Sequence, residues 1–161
     1  MRLLNAVGVA ALLAACALAP SVRAAEETFD ACDVFTAADA EKALGTTAAG
    51  EPVNPKVRRP KVIPTCTYKG FKDSKPVAAT VQFRWGRTDA EAQHAFDEAR
   101  LQFQTKPLLI SGADAFWSAK TGQINVRKGR TWLTISVGPE RISERDIADA
   151  RKLAEILVQK L

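Results

Sequence analysis

Strict alternation between apolar and polar residues constrains the fold of this chain more than any other feature of its sequence. In the segment VAATVQFRW, every odd-numbered residue from Val77 to Trp85 is apolar or aromatic, and the residues between them are small or polar. The segment WLTISV at 132–137 shows the same period through Leu133, Ile135 and Val137. A period of two indicates a strand with one buried face and one more polar face. The chain is therefore predicted to form an antiparallel sheet.

Helix-start signals flank these strands. The segment 36–39 resembles a capping box, and the helix that it opens is predicted to end after about nine residues at Gly45. A second capping box occupies 88–91, and apolar residues recur from Ala92 at helical spacing. Pro107 is expected to break that run, since proline removes a backbone donor. Two amphipathic helices are therefore predicted, one before the first clear strand and one after it.

The C-terminal part predicts a meander followed by a third helix. Turns at 121–122 and 128–129 separate three short strands, and Ser143 is the expected N-cap of a helix that runs to the C-terminus. The predicted order is α-β-β-α-β-β-β-α, an α+β domain with an antiparallel sheet and its helices mainly on one face. Strand, glycine, cap and helix follow one another at Gly86 and again at Gly138, which suggests a ββα pseudo-repeat. The predicted buried stripe of the third helix contains Ile147, Ala150, Ala154, Leu157 and Leu161.

The first 25 residues have the composition of a secretory signal. They carry Arg2, a long apolar run, and a small-residue tail after Pro20 that suits ordinary signal removal. Residues 26–161 would then form a single domain in the periplasm or outside the cell. A second interpretation stays open, because Leu13-Ala14-Ala15-Cys16 looks like a bacterial lipobox. Lipidation of Cys16 would tether the same domain to a membrane, facing the periplasm.

Cysteine usage fits export. Loss of the signal leaves Cys32 and Cys66 as a pair, and two cysteines in an oxidising compartment usually form a disulfide. The whole chain has a net charge of +5, which falls to +3 when Arg2 and Arg23 are removed. So small an excess does not predict binding to nucleic acid.

No catalytic residue, metal ligand or cofactor site is predicted. Lys120-Thr121-Gly122 matches a triplet of penicillin-binding enzymes, but no serine has a lysine three residues later. His94 is the only histidine, and its helical phase predicts a solvent-exposed side chain. The expected function is therefore a non-enzymatic exported binding domain. A hydrolase with an unrecognised carboxylate site and an inhibitor or immunity protein of a secreted partner remain as alternatives.

Two binding surfaces are predicted. One is the basic set, defined as Lys56, Arg58, Arg59 and Lys61, in a proline-rich segment that is expected to be an irregular surface excursion. The other is the aromatic group Trp85, Phe116, Trp117 and Trp132, in which Trp132 lies on the strand face opposite Leu133 and is either exposed or covered by a helix. The expected partner is an envelope protein, an envelope polymer or a small ligand. Contact with a membrane is expected only if Cys16 is lipidated.

Three short motifs carry a resemblance. The segment DACDVFT at 30–36, the Ala43-Leu44-Gly45 helix end and Cys66-Thr67-Tyr68 are similar to the opening of a widespread group of small exported bacterial proteins, many of them lipoproteins, of unknown function. The resemblance covers mainly residues 30–68. It implies a disulfide and a compact α+β domain, and it implies no catalytic residues.

Overall fold

The computed structural model describes residues 29–53, 63–102 and 105–161. The predicted signal segment and Cys16 therefore lie outside the described residues, and so does the basic set. Within the three described ranges, no helix is both long and apolar enough to cross a membrane.

The described chain is an α+β arrangement, as predicted. All strands pair antiparallel in one seven-stranded sheet with the order β1-β2-β3-β7-β6-β5-β4. The helices and strands in chain order are α1 (Ala31–Val34), α2 (Ala37–Leu44), β1 (Ala48–Val53), β2 (Thr65–Lys72), β3 (Lys75–Trp85), α3 (Asp89–Gln102), β4 (Thr105–Ile110), β5 (Ala113–Ser118), β6 (Gln123–Lys128), β7 (Thr131–Pro139), a 3-10 helix (Ile142–Glu144) and α4 (Ile147–Val158).

The larger core lies on one face of the sheet, which we call the main face. The odd-numbered residues of β3 point to it, and Val81 is in register with both Cys66 of β2 and Ile135 of β7. Helices α1, α2 and α4 pack on this face, because their apolar residues join the same buried cluster. Burial of each large side chain there contributes about 1.5–3 kcal/mol. The largest fully buried residues of this cluster are Phe35, Phe83, Ile124, Leu133, Ile135, Leu153 and Leu157.

Helix α3 lies on the opposite face. Its Phe96 is 2% exposed and packs against Phe116 of β5 and Trp132 of β7, with ring centroids 4.9 Å and 5.9 Å away. Trp132 and Leu133 are sequence neighbours on one strand, so their side chains point to opposite faces. The prediction of helices mainly on one face is thus confirmed, with α3 as the exception.

Two of the three predicted helix starts are confirmed. Asp39 Oδ2 accepts hydrogen bonds from the Thr36 N–H at 2.9 Å and from the Thr36 hydroxyl at 2.8 Å, and α2 ends at Gly45 with φ +68°. At the start of α3, the Glu91 N–H donates to Thr88 Oγ1 at 3.1 Å. Capping of this kind contributes about 1 kcal/mol to each helix.

The predicted start of the third helix is wrong. Asp146 is the N-cap of α4 and accepts from the Ala148 N–H at 2.8 Å, whereas Ser143 lies in the 3-10 helix. Arg145 holds the chain extended just before the cap, because its guanidinium donates to the carbonyls of Pro139 and Thr121 at 3.0 Å and 3.2 Å. The stripe also differs at its end, since α4 stops at Val158. Leu161 is 38% exposed, and the buried residues of α4 are Ala150, Leu153, Ala154, Leu157 and Val158.

Two edge strands were not predicted. Residues 48–53 pair with β2 although the segment was expected to be irregular from Gly50 onward. Residues 105–110 pair with β5, although Pro107 was expected only to break the preceding helix. Proline is tolerated in an edge strand, where its missing N–H costs no ladder hydrogen bond. Arg151 also covers the outer side of β4, since its Nη2 donates to the Leu109 carbonyl at 2.9 Å.

The ββα pattern is present in strand order but not in helix placement. Strands β2 and β3 lead into α3, and β6 and β7 lead into α4, yet α3 and α4 lie on opposite faces. Gly86 allows the first of these connections to be short. A Cβ atom at Gly86 would lie 2.6 Å from Ala92 N, so only glycine fits where β3 turns into α3.

An ion pair joins the C-terminus to the first two helices. The Lys160 ammonium bonds Asp39 Oδ2, and it also donates to the Val34 carbonyl at 3.0 Å. The Asp39 side chain is only 6% exposed. Burial raises the pKa of Asp39, but the hydrogen bonds from Lys160 and Thr36, and the charge of Lys160, together outweigh burial. The pKa of Asp39 therefore lies below its ordinary value of 3.8.

The Asp39–Lys160 pair predicts a loss of stability in acid. Because the pKa of Asp39 is lower in the folded than in the unfolded chain, the pair stabilises the fold above about pH 4, and this contribution is lost as the pH falls through the folded pKa. Lys160→Met leaves the buried carboxylate without its cation. We expect it to lower the free energy of unfolding by about 1.5–3 kcal/mol near pH 7 and to weaken the acid dependence.

Urea unfolding near pH 7 and near pH 3 measures both effects. Lys152→Met is the matched control, because Lys152 is 60% exposed and pairs with Asp149 on the surface of α4. Equal urea midpoints near pH 7 for Lys160→Met and Lys152→Met would contradict a stabilising role of the Asp39–Lys160 pair.

Candidate functional site

A groove of ≈370 Å³ runs between α3 and the opposite face of the sheet, and we call it the α3 groove. Its wall is formed by one side of α3, including the small residues Ala95 and Ala99. Its floor is formed by side chains of β3, β5, β6 and β7 that point away from the main face. The remaining lining residues are Gln82, Arg84, Glu98, Gln102, Phe116, Thr121, Gln123, Asn125, Trp132 and Thr134.

Arg84 lies on the floor of this groove without an ionic partner. It is half-buried, and its Nε is fully covered and has no hydrogen-bond partner. No carboxylate forms an ion pair with it among the described residues. Burial lowers the pKa of Arg84, yet a guanidinium stays charged in a protein. The groove therefore holds a partly desolvated positive charge that nothing in the described chain neutralises.

Trp132 positions this guanidinium. Arg84 and Trp132 are paired across β3 and β7, and the Arg84 Cζ lies 4.8 Å from the centre of the Trp132 ring, in a cation–π contact. The indole Nε1 donates to Asn125 Oδ1 at 3.0 Å, and the ring contacts Phe96 edge-on. Of the two placements left open by the sequence, the structure shows Trp132 half-buried beneath α3. Arg84 covers a face of its ring and occupies the site where a sugar could otherwise stack.

Asn125 adds an oriented amide to the floor. Its Oδ1 accepts from the Trp132 indole and from the Thr134 hydroxyl, the latter at 3.1 Å. Two donors on one oxygen fix the direction of the side chain, so its NH₂ group is turned away from them. The floor thus combines one cation with an amide donor held by neighbouring strands.

One acid, Glu98, is found among the described residues that line the groove, and it lies at the rim. Glu98 is 61% exposed and lies 3.6 Å from His94 Nδ1, one turn earlier on α3. The His94 side chain is itself 75% exposed, which confirms the predicted solvent-exposed position. A single exposed carboxylate offers no pair of acids for general acid–base work in this groove. Within the described ranges, no group of three or more His, Cys, Asp or Glu residues could hold a metal ion.

A larger depression of ≈960 Å³ lies around the β4 edge, but its cations are already paired. Arg100 lies 3.4 Å from Asp97, and Arg151 lies 2.9 Å from Glu155. Arg151 is further engaged by the Leu109 carbonyl. Both arginines therefore have ionic partners within the protein, so neither of them is an unpaired charge that a ligand would neutralise. The α3 groove is therefore the better candidate site.

Two residues of this site, Phe116 and Trp132, belong to the aromatic group predicted from the sequence, and its central residue, Arg84, was not predicted. Trp132 was a candidate, whereas Arg84 was only one of the polar residues of an alternating strand. The signal was present in the alternation, since both residues occupy polar-face positions of strands. What was lacking was the register that places them opposite each other. The other predicted surface, the basic set, lies outside the described residues.

Comparisons with known proteins identified no relative of this chain. Protein-family models, curated proteins and solved structures gave no significant match to the chain.

Proposed function

We propose that this protein is a non-enzymatic binding domain of the bacterial envelope that holds a small polar ligand in the α3 groove. Signal removal before Glu26 would release the domain into the periplasm or medium, and lipidation of Cys16 would instead keep it at a membrane. The observation that carries the proposal is the unpaired, half-buried guanidinium of Arg84 on the floor of the groove. A buried charge without a partner costs free energy, and ionisable groups in such surroundings cluster at functional sites.

The shape and lining of the groove support binding rather than catalysis. Its volume of ≈370 Å³ is at the small end of the range for ligand sites, about 300–1,000 Å³. Strands on one side and a helix on the other hold its polar groups, so the site is largely formed before a ligand arrives. In the described part of the chain, the lining holds no nucleophile beside a base and no second carboxylate to work with Glu98.

A substitution that fills the groove tests this proposal. Ala99→Phe places a ring in the space between α3 and the floor, and we expect it to abolish ligand retention whatever the ligand is. Ala90→Phe is the matched control, because Ala90 is exposed on the same helix and does not line the groove. Native mass spectrometry of protein isolated from its own envelope would show a non-covalent added mass on the wild type and on Ala90→Phe only.

The same spectrum reports the first residue of the mature chain, Glu26 or an acylated Cys16. A melting curve for each variant establishes that it folds. Retention of the same added mass by a folded Ala99→Phe would overturn the α3 groove as the binding site.

A further inference from the structure

We infer that the α3 groove selects a small sugar acid, meaning a ligand with one carboxylate on an uncharged body rich in hydroxyl groups. The inference rests on the proposed function and names the chemical class of its ligand. It follows from the charge at the floor, the geometry of the guanidinium, and the neutral character of the remaining lining.

The positive charge of Arg84 indicates that the ligand places a single negative group at the floor of the groove. Among the described lining residues Arg84 is the only cation, and the only acid, Glu98, is at the rim beside His94. A neutral ligand would leave the guanidinium unpaired and partly desolvated, which is unfavourable. A ligand with one anionic group restores neutrality at the floor of the groove.

The guanidinium geometry favours a carboxylate. The Arg84 Cζ lies 4.8 Å from the centre of the Trp132 ring, so the indole covers one side of the guanidinium and a ligand must approach it from another side. The covered Nε is out of reach of a ligand, so the donor pair that the groove offers is the two Nη groups, for which no described residue supplies a hydrogen-bond partner. A planar carboxylate accepts two parallel hydrogen bonds from such a pair, and these are among the strongest hydrogen bonds in proteins.

The rest of the lining is neutral and polar. Side-chain amides both donate and accept, and threonine hydroxyls do the same, which suits a ligand covered with hydroxyl groups. A flat aromatic ligand fits less well, because Arg84 occupies a face of Trp132 and Phe116 is fully buried beneath α3. The neutral hydrogen-bonding residues are Gln82, Gln102, Thr121, Gln123, Asn125 and Thr134.

NMR spectroscopy of the tryptophan indole groups tests the inference. The chain has three tryptophans, and the Trp132 resonance is the one missing from the spectrum of Trp132→Phe. The Trp132 N–H is bonded to Asn125 and its ring touches Arg84, so it reports directly on the floor of the groove. The probes are D-glucuronate, D-glucose and inorganic phosphate, each titrated into the full mature chain at fixed ionic strength.

D-glucuronate is expected to shift the Trp132 resonance to saturation, and D-glucose to bind about tenfold more weakly or worse. Arg84→Gln should reduce D-glucuronate binding to the level of D-glucose. Arg84→Lys should also weaken it, because an ammonium lacks the planar pair of donors. Arg141→Gln is the control and should bind as the wild type does, since the Arg141 side chain is 83% exposed and lies outside the groove lining.

Equal binding of D-glucose and D-glucuronate would overturn the role of charge, and wild-type binding by Arg84→Lys would overturn the two-donor geometry. Tighter, Arg84-dependent binding of phosphate would overturn the choice of a carboxylate. Failure of every probe, with the native ligand mass still lost in Ala99→Phe, would reject the sugar acid and leave the binding groove in place. Retention of that mass in Ala99→Phe would instead reject the groove itself.

Discussion

Replacing both bridging cysteines, as Cys32→Ala with Cys66→Ala, is expected to lower the free energy of unfolding by about 3–4 kcal/mol. The structure confirms the bond, with the two Cα atoms 5.3 Å apart and a sequence separation of 34. It ties α1 to β2, the strand next to β3, so opening it frees a long loop in the unfolded chain. The effect is large because a domain of this size has a total stability of only about 5–15 kcal/mol.

An experiment with reductant distinguishes the effect of the disulfide bond on stability from the effect of replacing the two cysteine side chains. Urea unfolding of the wild type should move toward that of the double variant when the bond is reduced, whereas the variant should not respond. Cys32→Ser should likewise lower the melting temperature relative to the wild type in oxidising buffer only. Equal wild-type stability with and without reductant, after the thiols are shown to be free, would contradict the stabilising role of this disulfide.

Leu153→Ala is expected to lower the free energy of unfolding by about 2–5 kcal/mol. Leu153 is 0% exposed and packs from α4 into the cluster on the main face, where truncation leaves a cavity that the surrounding strands cannot fill. Leu161→Ala is the matched control from the same C-terminal segment. Leu161 is 38% exposed and lies beyond the end of α4, so we expect its truncation to cost about 0.5 kcal/mol or less.

Urea unfolding of the two leucine variants decides between two assignments of the α4 stripe. The sequence pattern placed Leu161 in the stripe and left Leu153 out, and the structure reverses both. A larger loss of stability for Leu161→Ala than for Leu153→Ala would show that the pattern was right.

Much of the fold follows from local sequence. The alternation around Val81 determines which side of β3 is buried, because a shift of one residue would move every apolar side chain to the other face. The capping residues Thr36 and Thr88 determine where α2 and α3 begin, since Thr36 bonds the Asp39 carboxylate and Thr88 Oγ1 accepts from the Glu91 N–H, each three positions away. The export predicted from the sequence, together with the count of cysteines, was enough to predict the pairing of Cys32 with Cys66.

The edge strands and the start of α4 could not be predicted from local sequence. Pro52 and Pro107 argue against strands by local rules, and they are accommodated only because β1 and β4 are the two edges of the sheet. Asp146 caps α4, but its selection over Ser143 depends on Arg145, which donates to the carbonyl of Thr121, a residue 24 positions away. Local sequence patterns do not reveal hydrogen bonds between residues that are far apart in the chain.

The candidate site shows the same division between local and long-range information. The sequence by itself determined that Arg84 and Trp132 lie on polar faces of strands, because the period of two assigns every residue of a strand to one face. Only the tertiary structure decided that these two residues face each other and that α3 covers them. Strand register and helix placement depend on the summed packing of distant segments, so the groove exists only once β3, β7 and α3 have been brought together.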